Sequence, residues 1–145
     1  MLDRAAAGRD LRIADFFSAP IEWRDGTYDV ASDRALPGVS GPLRRCNEDE
    51  ANAQTFELRL ANNFRRLTMR VGQANNSESS DAEVLVRFVG NGSFIDSTRV
   101  KFNKLQDVAV PVTGVNALKL ELFMSGKKCD EDKVVNAVIA SLRLE

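Results

Sequence analysis

Across residues 55–145, apolar and polar side chains alternate with a period of two, in short runs cut by turn signals. Phe56, Leu58 and Leu60 share one parity against Glu57 and Arg59, and Leu67, Met69 and Val71 repeat it against Thr68 and Arg70. Val84, Val86 and Phe88 continue it to Asn91-Gly92, a dipeptide that favours a two-residue hairpin turn. Phe94, Val100 and Phe102 share a parity on the return. Leu118, Leu120 and Leu122 alternate with Lys119 and Glu121. Val138, Ala140, Leu142 and Leu144 alternate with Ile139, Ser141 and Arg143. A period of two gives each strand one buried and one wet face. Several such strands in one chain predict an all-β fold, a sandwich or barrel.

The first part of the chain is less regular. Residues 1–10 read as a lead-in, either a helical turn or disordered, and residues 11–145 as one domain. Residues 10–17 carry an apolar cluster at Leu11, Ile13, Phe16 and Phe17, in a short strand or helical turn closed by Pro20. Residues 21–33 predict strand, turn and strand around Asp25-Gly26. Residues 36–42, with Pro37, Gly38, Gly41 and Pro42, predict a loop. Residues 46–54 are acidic and irregular.

Composition narrows the chemistry. The 145-residue chain is long enough to fold without a metal or disulfide. Its net charge of −1 and pI near 5.6 argue against nucleic acid or an anionic membrane as partner. The apolar runs are short and broken by charge, so no membrane insertion is expected. Residues 1–10 have charge but no apolar core, unlike a signal peptide. The protein is then either cytoplasmic, if this is the full chain, or extracellular or at the cell surface as part of a longer protein. There is no histidine, which removes the commonest general base and zinc ligand. The carboxylates fall mostly on outward strand positions or in turns, where solvated charge is the expected reading, so no enzyme is expected.

Binding is left to loops held by the sheets, where aromatic rings stand beside hydrogen-bonding side chains. Trp23 and Tyr28 are the only tryptophan and tyrosine, with Arg24 and Asp25 between them. Asn75 and Asn76 are a second polar pair. The alternative is structural: Trp23 packs over the sandwich end, Tyr28 caps a strand edge, and Asn75-Asn76 sits in a solvated turn. Asp130, Glu131 and Asp132 offer oxygen ligands for a structural calcium, or form an exposed acidic loop. No cofactor is expected.

Five segments together resemble the NPCBM family, the novel putative carbohydrate-binding module. Phe64-Arg65-Arg66-Leu67 stands at the family's Y-x-R-F/L. Val71-Gly72-Gln73-Ala74-Asn75-Asn76-Ser77 stands at V-G-x-D-D-S, and Asn91-Gly92 replaces its Asp-Gly turn. Val110-Pro111-Val112-Thr113-Gly114-Val115, with Leu118 and Leu120, matches V-D-V-S-G-V-x-x-L-x-L. Ala137 to Leu142 stands at the closing motif without its tryptophan. The resemblance covers residues 55–145. It implies a galactose-binding-domain-like antiparallel jelly-roll β-sandwich that binds carbohydrate, without catalysis, on a bacterial extracytoplasmic protein. The alternative partner is another protein, bound by a sensor or ectodomain sandwich. The oxidising compartment implied by the family favours a disulfide between Cys46 and Cys129 over two free thiols.

Overall fold

The computed structural model describes residues 2–145. Nine strands form two antiparallel sheets. They are β1 (Arg24–Val30), β2 (Asp33–Leu43), β3 (Gln54–Arg59), β4 (Arg66–Gln73), β5 (Glu83–Gly90), β6 (Ser93–Val100), β7 (Leu105–Pro111), β8 (Ala117–Ser125) and β9 (Val135–Leu144). One sheet has the order β1-β2-β9-β4-β7 and the other β3-β8-β5-β6. The core lies between them. Phe56, Leu58, Leu118, Leu120, Leu122, Val84, Val86 and Phe88 face Leu67, Met69, Val71, Val110, Val39 and Ile139. Burying one such side chain contributes about 1.5–3 kcal/mol, so the alternation decides which face of each strand turns inward. The all-β sandwich expected from the sequence is the fold observed.

Asn91-Gly92 closes the β5–β6 hairpin with φ of 51° and 83°, the left-handed pair that a type I′ turn needs. Two strands depart from simple alternation. In β6 a bulge at Ile95 flips the parity, so Val100 is buried while Phe94 points out at 63% exposure. Phe102 lies in the turn before β7, half-buried. In β9, Ser141 has φ 52° and the register with β4 slips between Thr68 and Arg70. Val135, Ala137 and Ile139 therefore face the main core before the slip, and Leu142 and Leu144 after it. Val138 and Ala140, read from the sequence as core, form a second cluster with Val30 and Ala74 on the outer side of that sheet.

Residues 36–42 are strand, not loop. The prolines fit because each stands where β2 has one neighbour. Pro37 pairs only with β1, since pairing to β9 begins at Gly38, and Pro42 pairs only with β9, since pairing to β1 ends at Ser40. Gly41 leaves room for the Trp23 ring against β2, and Gly38 lets β9 approach. Asp25-Gly26 lies inside β1, and the turn falls at Ala31-Ser32 instead.

The described part of the lead-in packs against the sandwich. Met1 lies outside the described residues. Leu2, Ala6 and Leu11 are buried, with short 3-10 turns at Arg4–Ala6 and Ile13–Asp15. Backbone bonds from Leu2 to Arg59 (2.9 Å), Gly8 to Leu144 (2.9 Å) and Leu11 to Leu142 (2.8 Å) stitch this segment across the ends of β3 and β9. Residues 46–53 form a strap over the outer side of the four-stranded sheet. The Glu48 carboxylate accepts from Arg99 (2.9 and 3.1 Å) and from the Ser125 hydroxyl (2.7 Å). Beneath the strap lie buried Phe123 and Glu121, whose carboxyl is pushed up by burial and by Glu50.

Candidate functional site

The first two strands extend beyond the sheet. Pairing of β2 to β9 stops at Gly38, whereas its pairing to β1 continues to Asp33. The free end of this hairpin is an arm lying over the outer side of the five-stranded sheet. Val30 sits on Gly72, where a side chain on residue 72 would collide with it. Tyr28 and Leu36 pack against the cluster of Val138, Ala140 and Ala74. This contact buries apolar surface that the parity slip in β9 leaves outside the main core.

Asn75 holds the arm down. The Ala31 N–H donates to its Oδ1 (2.9 Å), and its Nδ2 donates to the Ala31 carbonyl (3.1 Å). The Asn75 N–H donates to the Asp29 carbonyl (2.8 Å). The side-chain amide thus copies a backbone peptide and completes the bonding of Ala31, whose φ is 53°. Asn75→Ala is expected to destabilise the protein by about 1–2 kcal/mol, from two net hydrogen bonds, read as a lower urea midpoint. An unchanged midpoint contradicts the clasp.

Beside the clasp is an open cleft of about 380 Å³ lined by Tyr28, Asp29, Ala74, Asn75 and Asn76. Tyr28 is half-buried; its ring lies across Gly26, and its hydroxyl donates to the Arg24 carbonyl (2.8 Å). Burial, then the Asp25 charge, raises the phenol above its ordinary pKa, so it stays a neutral donor. Asp29, Asn75 and Asn76 are exposed. Asp29 Oδ1 accepts from the Ala35 N–H (2.9 Å), which fixes the carboxylate at the rim. Asn76 makes one long contact, 3.4 Å from Asn136 Nδ2 to its Oδ1. The cleft thus combines one ring, one carboxylate and two amides, with hydrogen-bonding capacity to spare.

Of the residues singled out in the sequence, Tyr28, Asn75 and Asn76 come together here. Trp23 does not join them. It is 1% exposed, edge-on to Phe56 with centroids 4.8 Å apart, and belongs to the core. Arg24 is exposed, and its guanidinium donates to the carbonyls of Ile21 and Trp23. Asp25 accepts from the Ile13 N–H (3.0 Å) and lines a separate cleft with Asp10 and Arg12. Asp29 was not singled out. Its signal was the pair of aspartates flanking Ala31-Ser32, outweighed in the sequence by the Asp25-Gly26 pattern. Cys46 and Cys129 form a disulfide with Cα atoms 5.8 Å apart. In the acidic run, Glu131 accepts from the Cys46 N–H (3.0 Å) and Asp130 from the Asp132 N–H (2.9 Å). Among the described residues, no three acidic or cysteine side chains are grouped to hold a metal.

No family model and no curated protein matches the chain. Solved structures do. A Clostridium perfringens CBM51 module from GH95, in complex with methyl-galactose, aligns with TM-score 0.65 at 13% identity, over 94% of this chain and 100% of that one. A Clostridium perfringens ZmpB chain with an M60 catalytic domain and two CBM51 domains aligns with TM-score 0.67 at 13% identity. That match covers 95% of this chain, which spans only 15% of the ZmpB chain. CBM28, a module specific for non-crystalline cellulose, aligns with TM-score 0.52 at 10% identity, over 96% of this chain and 97% of that one. At such identities the likeness is one of fold: the chain has the antiparallel sandwich architecture of carbohydrate-binding modules.

Proposed function

We propose that this chain is a non-catalytic carbohydrate-binding module of a bacterial extracytoplasmic protein, and that sugar enters the cleft beside the Asn75 clasp. The observation carrying this reading is the convergence of Tyr28 and Asp29 with Asn75 and Asn76, brought from distant parts of the chain into one open cleft. The half-exposed ring offers an apolar surface for the C–H face of a pyranose. The carboxylate and amides supply acceptors and donors for its hydroxyls. Arg24, on the same outer face of β1 as Tyr28, extends the polar surface for a larger glycan. The disulfide suits an oxidising compartment, and the methyl-galactose held by one structural neighbour makes galactosides the first sugars to try.

The expected affinity is modest, with Kd about 10 µM to 1 mM, because a shallow polar cleft gains little beyond its ordering and desolvation costs. Titration with methyl-galactose and a broad glycan panel, followed by calorimetry or NMR, is the test. Tyr28→Ala and Asn76→Ala are each expected to weaken binding at least about tenfold, or about 1.4 kcal/mol; Asn76→Ala is expected to leave the melting temperature nearly unchanged, whereas Tyr28→Ala also lowers it, because the ring packs on Val138, Ala140 and Ala74. A flat response across the panel contradicts the reading and favours a protein-binding sandwich.

A further inference from the structure

A second cleft, of about 360 Å³, lies at the β3 edge, between the N-terminal segment and Arg59. Its size falls within the range of about 300–1,000 Å³ typical of ligand pockets. One wall is Phe17. The backbone there is pinned to the edge strand, with the Phe17 N–H donating to the Glu57 carbonyl (2.8 Å) and the Glu57 N–H to the Ser18 carbonyl (2.9 Å). The Arg59 guanidinium lies 3.8 Å from the ring centroid and is itself held by Glu57 at 2.8 Å. Phe17 remains 61% exposed, while its neighbour Phe16 packs on Phe56 at 5.0 Å. The core therefore takes Phe16 and leaves Phe17 as a fixed ring with an open surface.

The opposite wall is an ion pair. Arg9 forks onto Asp15 with bonds of 2.9 and 3.0 Å, and Asp15 also accepts from the Arg12 N–H (2.7 Å). The bond from Arg9 keeps the Asp15 carboxyl below its usual range, so the pair stays charged at neutral pH. A guanidinium has five N–H donors and the fork uses two, which leaves donors on Arg9, as on Arg59, for a ligand. Both arginines already face a carboxylate, so the cleft suits a neutral hydroxylated ring better than an anion.

The geometry points to a second saccharide subsite at this edge, where a neutral pyranose stacks on Phe17 and bonds through its hydroxyls to Arg59 and the Arg9–Asp15 pair. It rests on the carbohydrate-binding reading above but uses none of the same residues. Two such sites raise the avidity for a branched or clustered glycan beyond either alone.

The test is an NMR titration of the 15N-labelled protein with methyl-galactose, methyl-glucose, methyl-mannose and N-acetylglucosamine. Each is taken to about 10 mM, tenfold above the weakest Kd of about 1 mM expected for shallow sites. The amides of Phe17, Ser18 and Arg59 are expected to shift with at least one sugar. That response is expected to weaken at least tenfold in Phe17→Ala and in Arg59→Gln and to persist in Tyr28→Ala. Shifts at Tyr28, Asn75 and Asn76 with none at Phe17 overturn the second subsite and leave the first reading standing. Silence at both clefts overturns both. Shifts at Phe17 that survive Phe17→Ala and Arg59→Gln also overturn the proposal.

Discussion

Trp23→Ala is expected to lower stability by about 3–5 kcal/mol, the usual cost of removing a large aromatic from a packed core, and to lower the melting temperature by about 10–15 °C. The indole is 1% exposed, meets Phe56 edge-on at 4.8 Å, and rests against Gly41 of β2. The space it leaves closes only partly, because β2 beside it is held on both sides by β1 and β9. Gly41→Val attacks the same contact from the other side, since its added side chain overlaps the indole. Trp23→Phe separates packing from hydrogen bonding. Trp23 Nε1 is buried without an acceptor among the described residues. An orphaned donor carries its own penalty of about 1–3 kcal/mol. The phenylalanine variant loses volume but also that penalty, so its net loss is expected to stay under about 2 kcal/mol. Thermal or urea unfolding of the three variants is the measurement. Sugar affinity measured well below the transition is expected to be unchanged in Trp23→Phe. A specific loss of binding in a stable Trp23→Phe protein returns the indole to the ligand site.

Trp23 also shows what the sequence can and cannot carry. Alternation exposed the inner faces of β3, β4, β5 and β8, because each runs straight through the core and its parity never changes. It misled in β6 and β9, where a bulge at Ile95 and a slip at Ser141 exchange the two faces midway. Such a slip depends on the register of the neighbouring strand, which no local pattern encodes. The reading of residues 36–42 as loop failed for a related reason. Proline and glycine mark turns when local chemistry decides, but here strand order assigns each proline a position with one neighbour. The site was half-legible. Tyr28, Asn75 and Asn76 were identifiable by residue type, yet their meeting depends on the arm crossing the sheet, which follows from tertiary packing on Gly72. Rarity singled out Trp23, and a rare aromatic is as often a core anchor as a binding platform.

Reduction of the Cys46–Cys129 bond is expected to lower stability by about 3–4 kcal/mol, and the melting temperature by about 10 °C, without changing the fold. The bond spans 83 residues, a long loop, so it removes much of the freedom of the unfolded chain. It is not the scaffold of the sandwich: Cys46 and Cys129 pack on the margin of the core, whose buried side chains come mostly from the strands of the two sheets. It ties the segment after β2 to the loop after β8, and it anchors the strap whose Glu48 bonds Arg99 and Ser125. Loss of the bond should therefore act in two places. Globally, the denatured state gains entropy and the midpoint falls. Locally, the strap of residues 46–53 loses its covalent end and opens more often, since the remaining Glu48 side-chain contacts are one partly exposed ion pair, worth about 0–1 kcal/mol, and one hydrogen bond from the Ser125 hydroxyl. Hydrogen exchange with and without reductant distinguishes the two. Faster exchange of strap amides, well before the strands of either sheet exchange, is the expected pattern. Uniform acceleration everywhere would mean that the bond acts only through the unfolded chain, and equal protection with and without reductant would mean that the Glu48 contacts alone hold the strap. The same treatment should leave the Tyr28 cleft intact, because the arm is held by the Asn75 bonds to Ala31 and by Val30 packing on Gly72, none of which involves Cys46 or Cys129.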